Sequence, residues 1–260
     1  TDALAIYRSL GDQRGTARSL HRLGHVAVDR RQLDAAAEHY TASLAAWKAV
    51  GDDREAATVL AGLGNIAYYR GETDQAIAAW TDAIGYFRAL GEQRRLAMLL
   101  SNLGAIAFAN ADVDRAEVLH EEALTIQREL GEENALPLTL NNLAWTLQVK
   151  GDFERARPLF EESLRRYRAM GMQEGMAHPL YGLAWLAWDE GDLSKATALA
   201  MEAVTALDLN ERPILVSDHL MLLAALVAEQ GHAPFAAQLL GATAALREAH
   251  GGEVQPVDIP

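Results

Sequence analysis

The residues best placed to do chemistry are His21, His25 and Asp29, spaced four apart. On a helix that spacing puts all three on one face, as in a two-histidine, one-carboxylate site for zinc or nickel. The set has no fixed fourth ligand and lacks the glutamate of a His-Glu-x-x-His metalloprotease. A solvated polar helix face accounts for the same residues, so no metal and no cofactor are expected. His120, His178, His219, His232 and His250 are scattered, and no serine stands in a Gly-x-Ser-x-Gly elbow. No glycine-rich loop ends in Gly-Lys-Ser or Gly-Lys-Thr, so no phosphate cradle of that kind can be placed. Without a catalytic constellation, the chain is expected not to be an enzyme.

Two other sets have the chemistry of binding. The amides of Asn65, Asn102 and Asn142 can each donate to and accept from the backbone of an extended peptide. The competing account is that these amides bridge neighbouring helices. Trp145, Tyr181, Trp185 and Trp188 gather on the first helices of two successive repeat units, and aromatic groups on a concave surface are frequent binding anchors. The competing account here is that the indoles fill space between helices. As an anchor site, the cluster would take an apolar side chain or a flat ring.

What must position these residues is a repeat. A glycine-acid pair recurs every 40 residues as Gly11-Asp12, Gly51-Asp52, Gly91-Glu92 and Gly131-Glu132, and Gly171 keeps the register. In step with it, Leu23-Gly24 returns as Leu63-Gly64, Leu103-Gly104, Leu143-Ala144, Leu183-Ala184 and Leu223-Ala224. An alanine returns at Ala36, Ala76, Ala116, Ala156, Ala196 and Ala236. Residues 55–70 carry Val59, Leu60, Leu63, Ile66 and Ala67 at the spacing of an amphipathic helix, and Gly71 stops it. A second helix over about residues 73–90 puts Ala76, Ile77, Trp80, Ala83, Ile84 and Phe87 on one stripe. Acids such as Asp152 and Asp192 open the equivalent helices by accepting from free backbone N–H groups. Glycine inside a helix costs about 1 kcal/mol against alanine, so Gly24, Gly64 and Gly104 must allow close helix approach. Pro137, Pro179, Pro213 and Pro234 are expected in or near first turns, whereas Pro158 sits deeper and should bend its helix.

Leucine then a small residue in the first helix, followed by alanine, a bulky residue four later (Tyr40, Trp80, His120, Phe160, Leu240) and another small residue (Ser43, Ala83, Ala123, Ser163, Ala203), resembles the tetratricopeptide repeat. The fifth block departs by carrying Ala200 at the bulky position. The unit is longer than usual and is similar to the long-unit variant of kinesin light chains and spindle-orientation adaptors. HEAT repeats share the length but lack this sequence of marks. The resemblance implies an all-α, right-handed superhelical solenoid of antiparallel helix pairs. It divides residues 1–260 into a single array: a remnant helix over 1–10, repeats near 11–50, 51–90, 91–130, 131–170, 171–210 and 211–250, and a tail over 251–260. It also implies that first helices line a concave groove, here through His21, His25, Asn65, Tyr68, Ser101, Asn102, Asn141, Asn142, Trp145, Tyr181, Trp185 and Trp188. Ala61, Met98 and Leu138 stand where a carboxylate clamp would need basic groups, so no clamp is expected.

The chain has no cysteine and a formal net charge of −13, with residues 1–50 the basic end. Such acidity repels phosphate backbones, so no direct nucleic-acid binding is expected. No run of eighteen uncharged apolar residues and no signal segment are present, so a cytoplasmic protein without membrane association is expected. Residues 1–10 match the last part of a second helix, so the chain is expected to be part of a longer protein whose uncovered N-terminal edge can self-associate. Residues 236–247 resemble the last repeat of bacterial signalling ATPases and LuxR-type transcriptional regulators. That resemblance implies a protein- or peptide-binding sensor or scaffold domain of such a regulator, whose partner is a protein segment or another domain of the same protein. The alternative is a constitutive adaptor in an assembly unrelated to transcription.

Overall fold

The computed structural model describes residues 2–209 and 211–250. Among them the order is α1 (Asp2–Ser9), α2 (Gln13–Asp29), α3 (Leu33–Val50), α4 (Asp53–Tyr69), α5 (Thr73–Leu90), α6 (Gln93–Ala109), α7 (Val113–Leu130), α8 (Leu136–Val149), α9 (Phe153–Met170), α10 (Gln173–Asp189), α11 (Leu193–Ala206), α12 (Pro213–Glu229) and α13 (Ala233–His250). No strand occurs among the described residues, and none of their helices is long and apolar enough to cross a membrane. The expected tail over 251–260 lies outside the described residues. The chain divides into two compact units, Thr1–Leu103 and Gly104–Pro260.

The recurrent glycine-acid pair is a helix stop followed by a helix start. Gly51 takes φ 73°, and its N–H and that of Asp52 close back on Lys48 O and Trp47 O at 3.2 and 3.1 Å. Only a residue without Cβ reaches this left-handed turn at no steric cost. The Asp52 carboxylate then accepts from the Glu55 N–H, one of the donors that a helix start leaves unpaired. Asp12, Asp112, Asp152 and Asp192 cap their helices in the same way.

In the first unit the core runs through Ala17, Ala27, Ala36, Tyr40, Trp47, Ala56, Val59 and Ile66. Tyr40 explains two glycines at once. A Cβ on Gly24 would lie 2.2 Å from its ring and a Cβ on Gly62 would lie 2.8 Å away, so the tyrosine fits between α2 and α4 only because both lack side chains. Gly64 stands to Trp80 as Gly24 stands to Tyr40, with a Cβ only 2.3 Å from the indole. The second unit repeats the device. The Phe160 ring fills the place of a Gly182 side chain, and the Ser163 hydroxyl donates to Pro137 O at 2.7 Å across the buried α8–α9 seam. Ser43 makes the equivalent bond to Ala17 O at 2.8 Å.

Two local expectations need correction. Pro179 is not in a first turn: α10 begins at Gln173, so Pro179 lies inside the helix, where its missing N–H removes one ladder bond. The first helix of the fourth block begins at Leu136, one residue from two 40-residue steps beyond the expected start at residue 55, with Pro137 in its first turn as expected. The second helix of the fifth block ends at Ala206 on an extended Leu207, short of the 40-residue register. Position 211, where a sixth stop glycine would fall, holds Glu211, and Pro213 pushes the residue before it out of helical geometry.

Candidate functional site

Within the first unit, His21 and His25 follow each other on α2 with ring centroids 4.8 Å apart, and both rings meet Tyr40, at 5.5 and 5.6 Å. Burial first, then the nearby His25 and Arg95, push the His21 pKa down to about 4. A neutral His21 Nδ1 stands 3.9 Å from a Glu55 carboxylate oxygen. The charge of Asp29 acts on the Tyr40 hydroxyl, which burial chiefly raises to about 12. No group of three His, Cys, Asp or Glu side chains among the described residues is arranged to hold a metal.

Asn65 is exposed, but its Oδ1 accepts from the Trp80 indole N–H at 3.0 Å, with Ala61 O a second acceptor at 3.2 Å. This amide therefore bridges α4 and α5. Tyr68 is half-buried against the same indole, with centroids 5.9 Å apart, and burial raises its pKa. Ser101 and Asn102, 6% and 4% exposed, are buried, so neither faces an open groove. The neighbouring Leu99, Leu100 and Leu103 are buried too, which makes this part of α6 apolar on more than one face.

In the second unit, Asn141 is 4% exposed and its Oδ1 has no hydrogen-bond partner, while Asn142 is half-buried. The amide ladder expected along a groove therefore has Asn102 buried and Asn65 committed to an indole. Asn141, counted with the groove residues, is buried as well.

The aromatic residues do come together. Trp145 on α8 meets Phe160 edge-on at 5.4 Å and Tyr181 on α10 at 5.8 Å. Tyr181 meets Trp185 at 6.4 Å, and Trp185 meets Trp188 at 5.0 Å. Their spacing of four and three residues along α10 puts the three rings on one face. The Trp188 Nε1–H donates to a Glu229 carboxylate at 2.6 Å. These rings are half-buried. Tyr181, Trp185 and Trp188 pack on the cluster of Ala184, Ala187, Ala196, Ala200 and the α12 leucines. The ring present at this position in the first four blocks is replaced there by Ala200.

A cleft of about 460 Å³ opens over the four rings, completed by His178, Leu215, Asp218, His219, Met221, Leu222, Ala225 and Arg247. The His219 ring lies tilted against Tyr181 at 4.5 Å, and its ring nitrogens face Leu215 O at 2.8 Å and Ala177 O at 3.4 Å. Burial lowers its pKa against the opposing pull of those carbonyls. His178 is pushed down to about 4 by burial, then by His219 and Arg212. Both imidazoles are thus neutral at pH 7. Arg247 donates to Asp218 at 2.6 Å and to the Ser217 hydroxyl at 2.9 Å.

His178, Asp218, His219 and Arg247 were not among the expected site residues. His178 was legible, since 178, 181, 185 and 188 continue one helical face a turn backwards. Arg247 was not, because it comes from a different helix, α13.

The arrangement is an amphipathic, ring-lined cleft. A sequence model described as tetratricopeptide repeat matches residues 15–89 and 95–169. No curated protein matches the chain significantly. Among solved structures, the apo form of RapI is similar at 13% identity and TM-score 0.72, covering 91% of this chain and 99% of that one. A Rap protein complexed with competence and sporulation factor gives 15% and 0.61, covering 92% and 71%. A signal transduction ATPase with a tetratricopeptide repeat sensor from Pyrococcus horikoshii gives 13% and 0.68, covering 95% of this chain and 42% of that one. The matched segments cover more than half of the sequence, and the helix pairs, capping glycines and ring-on-glycine contacts follow the same pattern: the chain belongs to the tetratricopeptide repeat family.

Proposed function

We propose that the chain is a non-catalytic, peptide-binding sensor module of a larger bacterial signalling or transcriptional regulator. The observation that carries this reading is the cleft over Trp145, Tyr181, Trp185 and Trp188, where expected binding residues converge on an open concavity. Large, half-buried rings supply contact area at little conformational cost. The reading is supported by likeness of fold to a Rap protein solved with a competence and sporulation factor and to an ATPase whose repeats are named a sensor. The peptide belongs to a partner or to another domain of the same protein.

The test is selection of peptides from a random library on the purified chain, followed by affinity measurement against Trp185→Ala. Selected peptides should bind at least tenfold more weakly to the variant while its helical circular dichroism is unchanged. Equal affinity for both proteins would remove the cleft from the function. A constitutive adaptor differs from a sensor in the response: in a sensor, peptide binding changes hydrogen exchange in helices beyond α10 and α12.

A further inference from the structure

We propose that the aromatic cleft receives an arginine side chain, so that the partner is a basic peptide segment; this rests on the cleft being the peptide site. The charge of the chain is distributed unevenly. Residues 1–103 hold 12 acids and 12 bases, whereas residues 104–260 hold 24 acids and 11 bases, so the whole excess of −13 falls on the unit that carries the cleft. A cationic segment is drawn to that unit by its field before any contact forms.

The cleft is built for a flat cation. Trp145, Tyr181, Trp185 and Trp188 follow one another in ring contact, tilted at 41°, edge-on at 76° and tilted at 31°, and a guanidinium stacks on the face of such a ring through its negative quadrupole. The Trp188 indole N–H is committed to Glu229, which fixes the ring and enriches its π density. Asp218 supplies a carboxylate in the lining. Among the described lining residues Arg247 is the one Lys or Arg, and its charge is already paired with Asp218. The two lining imidazoles bring no positive charge at neutral pH. An anionic peptide would have to take Arg247 from Asp218 and leave that carboxylate facing it. An incoming arginine meets rings and a carboxylate it can share.

The probes are three blocked pentapeptides with arginine, citrulline or leucine at the centre and alanine elsewhere, titrated against the indole N–H resonances of the nitrogen-15-labelled chain. The arginine peptide should shift the Trp185 and Trp188 resonances and bind about tenfold more tightly than its uncharged citrulline isostere, the range of a partly desolvated cation–π contact. Arg247→Gln frees Asp218 and should tighten arginine binding several-fold; Asp218→Asn should weaken it several-fold. Citrulline or leucine binding as tightly as arginine, or Arg247→Gln weakening the interaction, overturns the assignment. If none of the three moves an indole resonance while library-selected peptides still depend on Trp185, the arginine assignment falls and the peptide site stands. If selected peptides also ignore Trp185, the peptide site itself falls.

Discussion

The imidazole of His120 occupies the space in which a side chain at residue 104 would stand: a Cβ on Gly104 would lie 2.5 Å from its Cε1. His120 is fully buried, and neither ring nitrogen has a hydrogen-bond partner. Helix α6 therefore keeps a glycine in its interior in order to approach α7.

Gly104→Ala should destabilise the chain by about 1–2 kcal/mol. An added methyl against a rigid ring costs about 1–3 kcal/mol, of which up to about 1 is returned by the better helix propensity of alanine. In the double variant Gly104→Ala with His120→Ala the methyl has room, so its cost should vanish. Urea denaturation of the four-member cycle measures this coupling, and additive effects would contradict it.

Burial holds the His120 pKa down at about 4, against an ordinary 6.5. The unfolded chain thus takes up a proton that the folded chain refuses. The stability contributed is full above about 6.5 and is lost as pH falls through the window towards 4, with a depth on the order of 3 kcal/mol. His120→Phe places the ring of the Phe160 block at this position. It should raise stability at pH 7 by about 1–2 kcal/mol by removing two unpaired buried polar atoms. It should also shrink the loss between pH 6.5 and 4.5, as read from denaturation midpoints at both values. An unchanged pH slope would remove His120 as the source.

Ala111 sits in the left-handed region at φ 60°, in the turn between α6 and α7, where the equivalent turns hold Gly71, Gly151, Gly191 and Gly231. Arg31, at φ 56°, shares the anomaly in the first unit. A Cβ in this conformation costs about 1–2 kcal/mol, and the extra unfolded-state freedom of glycine returns part of it. Ala111→Gly should therefore raise the stability by about 0.5–1 kcal/mol in thermal or urea unfolding. Its Schellman-type bonds, Ala111 N–H to Phe108 O and Asp112 N–H to Ala107 O at 2.9 Å, should remain. A destabilised variant would show that the turn is held by something other than this geometry.

Much of the helix order was readable because its punctuation is local. Gly51 stops a helix and Asp52 starts the next through bonds reaching no more than five residues, so a glycine-acid pair predicts the same event wherever it occurs. Where the pair is missing, as at Glu211, the prediction drifted, since α11 closes early by another route. The binding residues were only partly readable. The three-and-four spacing on α10 placed Tyr181, Trp185 and Trp188 on one face, but helical periodicity cannot tell an amide that faces a groove from one that faces the next helix. Asn65 and Asn102 looked alike in sequence, yet one bonds an indole and the other is buried.

The sequence by itself determined the helix pairs and the small residues that let them approach, because caps, left-handed turns and side-chain volume act over a few residues or recur at a fixed period. Only the tertiary structure decided that Arg247 and Asp218 meet beside the α10 rings, which amides are covered, and that a cleft opens over the block carrying Ala200. Those outcomes depend on how faces from several helices pack in space, and the volume left over after packing is a property of no single segment.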